Sequence, residues 1–460
     1  MRRLTSKQTD RAVGALLGSA AGDALGVPYE YGSRQLDSEP QMRGGGLGGL
    51  APGQWSDDTE MAVCIARVAA TGADLRGEAA LEAIAEGFLE WFADDPPDVG
   101  IQTRSVLSSV GAGPVAPQLR AESARLHVRT GRSAGNGSLM RTSPVALAHL
   151  GDADAIAAAA RAVSLLTHFD PVAGDACVLW CLAIDHAVRT GELDVRVGLP
   201  HVDAMWGPLL DEAETVEPAH YGHTNGWVVA ALLGAWSAIS RTTGFEAGVV
   251  EAVRGGGDTD TVAAITGALL GARYGASTVP FHYRRILHGW PGLRARDLAS
   301  LALQTVRGGD EVDGWTGLSS YGQSAREVVP HPDDPGVLLG AVGALRPGVA
   351  DAVVSLCRVE PLQGVAVEDH IESRLVDKDD ANNDLRFAVD DAALAVQAMR
   401  AEGKTVLLHC VHAQTRTPVV AAAYGALVTG TSELEALRRV QAVLPSGRSP
   451  RASIVAVLSS

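Results

Sequence analysis

The sequence predicts a multidomain protein: an all-α domain over residues 1–310, a linker over 311–330 and an α/β domain over 331–460. Three observations carry this reading. A chain of 460 residues is too long for one ordinary hydrophobic core. Up to about residue 305 it is rich in Ala, Leu and Gly, with apolar positions recurring at three- and four-residue spacing. Beyond about residue 315, short β-like runs alternate with helical patterns.

The elements follow in order. Residues 1–26, "MRRLTSKQTDRAVGALLGSAAGDALG", place arginines before an apolar stretch, but Asp10, Arg11 and Asp23 interrupt the uncharged core that a secretion signal needs. Helices are expected over 78–93, 152–166, 174–190 and 259–275. The most apolar run, "GWVVAALLGAWSAIS" from Gly226, is too short to span a bilayer and reads as a buried helix. After "VRGGDEVDGWTGLSSYGQS" (306–324) the pattern changes: strands are expected in 336–342, 352–359 and 405–411, and helices in 390–403 and 433–444.

With 46% hydrophobic and 20% charged residues the composition is that of a globular protein, and a net charge of −16 opposes nucleic acid or an anionic membrane as the general partner. The five cysteines (64, 177, 181, 357, 410) are few and odd in number, as in a reducing compartment, so a cytoplasmic location is expected. Cys177 and Cys181 lie one helical turn apart without a second ligand pair, which reads as buried helix cysteines rather than zinc ligands.

Two acidic motifs stand far apart in the helical region. "GQWSDDTEMA" (53–62) crowds Ser56, Asp57, Asp58 and Thr59 before an apolar run, and "GGGDTDT" places Asp258, Thr259, Asp260 and Thr261 before another. Taken singly, each is explained by helix capping and by acids complementing the helix dipole. Taken together, they offer the carboxylate and hydroxyl oxygens that hard cations such as Mg²⁺ take as ligands.

With "GALLGSAAGDALGVPYE" (14–30), "GNGSLMRTSPVAL" (135–147) and "THFDPVA" (167–173), these motifs resemble the ADP-ribosylglycohydrolase family over residues 10–305. The resemblance implies an all-α fold with two Mg²⁺ ions, or Mn²⁺, in a central cleft. It implies ligands from Ser56, Asp57 and Asp58 on one side and from Asp258, Asp260 and Thr261 on the other, with Asp260 bridging; Ser56 replaces the usual Thr. Glu30 matches a family glutamate near the metals, on a loop that moves with substrate. Glu30, Asp57 and Asp58 are all candidates for the acid–base role. Asn136, Gly137 and Ser138 are candidates for holding a diphosphate, with an ordinary interhelix loop as the competing reading; His168 is added by the family match alone. Tyr221 and His223 fit the adenosine end or simple turn chemistry. The implied substrate is an ADP-ribosylated protein or a small ADP-ribosyl conjugate.

In the second region, "VLLHCVHAQTRTPVVAAAYGAL" (406–427) reads as strand, turn and helix, with Cys410 and Arg416 bracketing five residues. A thiolate at a helix N-terminus is nucleophilic at neutral pH, and backbone N–H groups with an Arg complement a phosphate dianion. The stretch resembles the cysteine-dependent dual-specificity phosphatases over about 330–460. That resemblance implies Asp379 as the general acid, with Asp377 and Asp380 as close rivals, Thr417 as an aid to hydrolysis of the intermediate, and a phosphorylated substrate. Ala413 stands where the family has Gly, and it is strained there if the position requires positive φ.

Overall fold

The computed structural model describes residues 4–36, 39–309, 321–322, 324–444 and 451–459. Most of the expected linker lies outside the described residues. The chain divides into two compact units. The larger comprises Arg11–Val279 and the described part of Ile286–Val312; the smaller comprises Leu4–Asp10, Pro280–Arg285 and the described part of Asp313–Ser460.

Through residue 309 the structure is helical. In chain order come α1 (Ser6–Gly26), α2 (Asp57–Ala69), α3 (Glu78–Ala93), α4 (Ile101–Leu107) and α5 (Val115–Thr130). Then follow α6 (Ser143–Ala148), α7 (Ala153–Ser164), α8 (Pro171–Thr190), α9 (Trp206–Ala213) and α10 (Val228–Ser240). The series closes with α11 (Phe245–Arg254), α12 (Thr259–Tyr274), α13 (Phe281–Ile286) and α14 (Ala295–Arg307). One two-residue hairpin, β1 (His288–Gly289) with β2 (Leu293–Arg294), interrupts them. Helix α3 has the bounds expected from periodicity, and α7, α8 and α12 differ from expectation by a few residues at their ends. Helix α8 is apolar and long enough to span a bilayer by composition, but 78% of its most apolar window is buried inside the protein, the character of a core helix.

Helices α1 and α12 meet at their backbones. A Cβ added at Gly14 would lie 2.1 Å from the Gly271 carbonyl oxygen, at Gly18 2.3 Å from that of Gly267, and at Gly22 2.0 Å from that of Ala263. At Gly26 it would lie 2.4 Å from the Cα of Asp260. Glycine every four residues makes one bare stripe along α1, because residues four apart share a helix face. The stripe runs antiparallel to α12 and ends where Asp23 and Asp260 are brought together.

In the smaller unit, β3 (Val328–His331), β4 (Asp334–Ala341), β5 (Ala352–Ser355), β6 (His370–Glu372) and β7 (Val406–Cys410) form one sheet in the order β3–β4–β7–β5–β6. Strand β3 is antiparallel to β4; the other neighbours are parallel. Strands β3 and β6 escape sequence reading because both are short, and β3 carries Pro330, which suits only an edge strand. Strand β3 thus begins inside the stretch read as linker. Along β7, Val406 and Leu408 join a core with Val396 of α15 (Leu385–Ala401) and Val419 of α16 (Arg416–Thr429), while Leu407 faces the other side with Val353 and Val342. That alternation is the period-two pattern of a strand buried on both faces. Helix α17 (Glu433–Val443) is capped by Ser432 and Glu435 in a reciprocal capping box.

The α1–α12 contact predicts that Gly22→Ala is destabilising although alanine is the better helix former. Its methyl group meets backbone that can move only by separating the helices, a cost of about 1–3 kcal/mol. Thermal denaturation reads it as a melting temperature several degrees lower than that of an exposed-site Gly→Ala control.

Candidate metal centre and a second, thiol-bearing loop

Four segments bring acids to the end of α1. Asp23 is fully buried near the C-terminal end of α1. Its Oδ1 accepts from the Ser56 backbone N–H and hydroxyl, both at 2.9 Å; its Oδ2 accepts from the Thr59 N–H at 3.1 Å and hydroxyl at 2.6 Å. Asp23 therefore caps α2 from outside, and Ser56 and Thr59 serve it as donors. Ser56 Oγ also lies 3.0 Å from Asp58 Oδ2, so its single proton is shared between two carboxylates.

Ligand-capable oxygens of Asp23, Asp58 and Asp260 lie within 4.8 Å of one another, as do those of Glu30, Asp98 and Asp260. Asp260 belongs to both trios. Of the expected carboxylate ligands, Asp57 and Asp258 lie outside these trios. Asp57 Oδ2 accepts the Gly100 N–H at 3.2 Å. Asp258 Oδ2 accepts from Asn136 Nδ2 at 2.8 Å and from the Tyr31 hydroxyl at 3.2 Å. Thr261 Oγ1 donates to Asp58 Oδ2 over a long 3.4 Å. Asp23 and Asp98 are not among the ligands expected from sequence.

The donor set fits a divalent cation. Asp58 Oδ1 is buried without a hydrogen-bond partner, a state that costs free energy unless something positive faces it. Burial first, then neighbouring carboxylates, hold Asp57, Asp58 and Asp260 well above the ordinary carboxylate range. Burial, with Asp98 and Asp258 nearby, raises Glu30 to about 8, and burial raises Asp23 to about 6. Glu30 leads into Tyr31 at φ 44°, a left-handed conformation costly for a residue with a side chain.

The turn at 135–137 borders Asp258. Asn136 Nδ2 bonds the Asn225 carbonyl at 2.9 Å as well as Asp258; Gly135 and Gly137 lie against the His168 ring. Ser138 is buried, and its hydroxyl accepts from Ser164 Oγ at 2.9 Å. His168 is buried too, and burial keeps it neutral. Tyr221 is buried with an unpartnered hydroxyl, while His223 is exposed.

In the smaller unit, Cys410 ends β7 and Arg416 opens α16, as the strand–turn–helix reading requires. Ala413, between them, has φ 54°, so the position does require the conformation that glycine adopts freely. Arg416 Nη1 donates to the Leu356 and Leu375 carbonyls, while its buried Nε and the buried Thr417 hydroxyl have no hydrogen-bond partner. Of the three candidate acids, Asp377 approaches Arg416, at 4.0 Å. Asp379 is exposed and accepts from Ser453, and exposed Asp380 pairs with Lys7. His409, beside Cys410, is fully buried, with Nε2 2.7 Å from Ser355 Oγ.

The crowded acids predict an inverted pH dependence of stability. A carboxyl whose folded-state pKa is raised binds its proton more tightly when folded, so stability falls as pH climbs from the unfolded value near 4 through the folded value. For Asp23 and Glu30 that window ends at about 6 and about 8. Chelator-treated protein should lose melting temperature steadily between pH 5 and 8 (roughly the span of those shifts), and added divalent cation should reverse the loss. A flat profile would contradict the geometry.

A profile of the ADP-ribosylglycohydrolase family matches residues 4–313. The chain is 29% identical over 282 residues to the ADP-ribosyl-[dinitrogen reductase] glycohydrolase of Rhodospirillum rubrum, covering 59% of this chain and 88% of that protein. It is 27% identical over 289 residues to the ADP-ribosylarginine hydrolase Tri1 of Serratia proteamaculans, covering 60% of this chain and 74% of the relative. A solved structure described as an ADP-ribosylglycohydrolase-related protein complex aligns with a TM-score of 0.51 and 30% identity, over 66% of this chain and 99% of that one. The chain belongs to the ADP-ribosylglycohydrolase family.

Proposed function

We propose that the protein hydrolyses the glycosidic bond between ADP-ribose and a protein side chain or small acceptor, using two divalent cations, Mg²⁺ in the first instance and Mn²⁺ as a substitute. The observation that carries this is the pair of carboxylate trios sharing Asp260. The relatives' names supply the substrate class: one is named for ADP-ribosyl dinitrogen reductase, the other for ADP-ribosylarginine. Five unpaired cysteines support a reducing, cytoplasmic setting.

Asp23, Asp58 and Asp260 would hold one cation, and Glu30, Asp98 and Asp260 the other, with Asp57 and Asp258 completing the negative wall. Such cations supply Lewis acidity, orienting vicinal ribose hydroxyls and acidifying a water. The residues do the rest. Ser56 and Thr59 fix Asp23, and Asn136 and Tyr31 fix Asp258, so the wall is rigid before substrate arrives. Carboxylates facing the anomeric carbon would stabilise the positive charge that grows as the bond breaks. Glu30, Asp57 and Asp58 are the carboxylates placed to take a proton from water or return one to the departing acceptor. The 135–137 turn and His168 would bind the diphosphate side.

Chelation should abolish hydrolysis of ADP-ribosylated protein, with Mg²⁺ or Mn²⁺ restoring it. Asp260→Ala, removing the one carboxylate common to both trios, should lower kcat/KM by at least about 100-fold. Unchanged turnover in that variant would refute the assignment.

A second activity in the smaller unit is favoured by one observation: Arg416 Nε and the Thr417 hydroxyl are buried without hydrogen-bond partners beside the Cys410 loop, where a phosphate dianion would satisfy them. We read the loop as a thiol-dependent phosphatase site acting on a phosphorylated substrate. Cys410 Sγ attacks phosphorus, an acid (Asp377 by position, Asp379 by sequence) protonates the leaving oxygen, and water then cleaves the S–P bond. Aryl phosphate hydrolysis should vanish in Cys410→Ser and survive the chelator that silences the first site; insensitivity to Cys410→Ser would reject this reading.

A further inference from the structure

Two buried polar residues behind His168, Arg141 and Thr167, have no part in the scheme above. Arg141 is fully buried, lies 4.5 Å over the Phe88 ring and donates from Nη1 to Met61 Sδ at 3.3 Å. Its Nη2 donates to Thr167 Oγ1 at 2.6 Å. Thr167, fully buried, lies 2.8 Å from Nδ1 of its neighbour His168.

Donor counting fixes the direction of these bonds. A guanidinium only donates, so Thr167 Oγ1 accepts from Arg141 and keeps one proton to give. Giving it to His168 Nδ1 satisfies both groups; if Nδ1 carried a proton instead, two donors would converge on the hydroxyl and its own proton would need an acceptor elsewhere in a dry interior. Burial and the Arg141 charge both oppose a charged imidazole. The ring is therefore neutral, with its proton on Nε2. The cation on one side of the hydroxyl also polarises it toward Nδ1.

The Nε2 edge faces the turn. A Cβ at Gly135 would lie 3.2 Å from Nε2, and one at Gly137 3.3 Å; between these glycines sits Asn136, whose side chain holds Asp258. We propose that Arg141 and Thr167 are positioning residues that lock His168 in the Nε2–H tautomer, so that it meets the bound ADP-ribosyl group as a fixed neutral donor to an oxygen. The proposal rests on the hydrolase reading. The other tautomer would turn a lone pair toward that oxygen, losing a hydrogen bond and adding repulsion.

The test uses the full-length protein, with ADP-ribose as the ligand and Thr167→Val and Thr167→Ser as variants. Valine keeps the shape and removes the hydroxyl; serine keeps the hydroxyl. Imidazole nitrogen NMR, with the His168 signal assigned by its loss in His168→Gln, should show Nδ1 unprotonated and Nε2 protonated in wild type and in Thr167→Ser, and a mixture in Thr167→Val. Calorimetry should show ADP-ribose binding about tenfold or more weaker in Thr167→Val, recovered in Thr167→Ser, with KM raised more than kcat is lowered. A protonated Nδ1 in wild type overturns the proposal, and decides the matter even if Thr167→Val does not fold. Wild-type affinity in Thr167→Val overturns it equally, as does serine failing to restore binding. If wild type binds no ADP-ribose, the ligand assignment falls together with the hydrolase reading, while the NMR signature still reports whether the lock exists.

Discussion

The backbone contact between α1 and α12 is the constraint on which the larger unit depends. Two helices with side chains at the seam stand 8–10 Å apart; glycines at 14, 18, 22 and 26 let these two come closer, with α12 carbonyls occupying the space a Cβ would take. Asp23 follows Gly22, and Asp260 is the residue that Gly26 touches, so the approach that glycine permits is also what joins the two acids. Helix α2 is then tied to this pair, because Asp23 accepts both the N–H and the hydroxyl of Ser56 and of Thr59. Fold and site share one contact.

Bringing acids together has an electrostatic cost, which the fold meets in part. Helices α2 and α12 both begin at the cluster, so the positive ends of their dipoles face it. Hydrogen bonds from Ser56, Thr59, Asn136, Tyr31 and the Gly100 amide take up further lone pairs. The provision is incomplete, because Asp58 Oδ1 is left without a donor and the carboxyls remain hard to ionise. Dipoles and neutral donors orient a carboxylate well but neutralise it poorly. The remaining imbalance is what a divalent cation corrects, and it is why ion binding and stability should be coupled here.

How much of this could be read from sequence depended on where each acid sits. Asp57, Asp58, Asp258 and Asp260 announce themselves because each pair stands at a helix start, where paired acids exceed what capping needs. Asp23 was legible only as the charge that spoils a signal-peptide core; its real signal is a lone carboxylate inside an apolar, glycine-spaced helix, which must find partners because it cannot stay dry and unpaired. Asp98, in "DDPPDVG", is one acid among several in a Pro-rich loop, and no local pattern separates it from its neighbours. The same limit applies to the smaller unit. The strand–turn–helix around Cys410 follows from hydrophobic pattern, whereas the choice among Asp377, Asp379 and Asp380 turns on loop path, and the structure brings Asp377 to Arg416. Strands β3 and β6 leave little signal in the sequence because strands this short are specified mainly by their partners in the sheet.

Backbone strain ties the two units' candidate sites to one physical rule. Among the described residues, four non-glycine residues take positive φ: Tyr31, Asp95, Asp380 and Ala413. Each lies one to three residues from a group to which a role is assigned here: Glu30, Asp98, Asp379 and Cys410. Holding a side chain in the left-handed region costs about 1–2 kcal/mol per residue, and such conformations persist where surrounding structure over-determines them. At Glu30 and Asp98 the strained residue lies one and three positions from a carboxylate of the second trio. At Cys410 it bends a loop so that a strand can hand a thiol to the start of a helix. In both units the backbone takes a conformation that local preference opposes, and in both it does so beside the group whose placement the proposed chemistry requires.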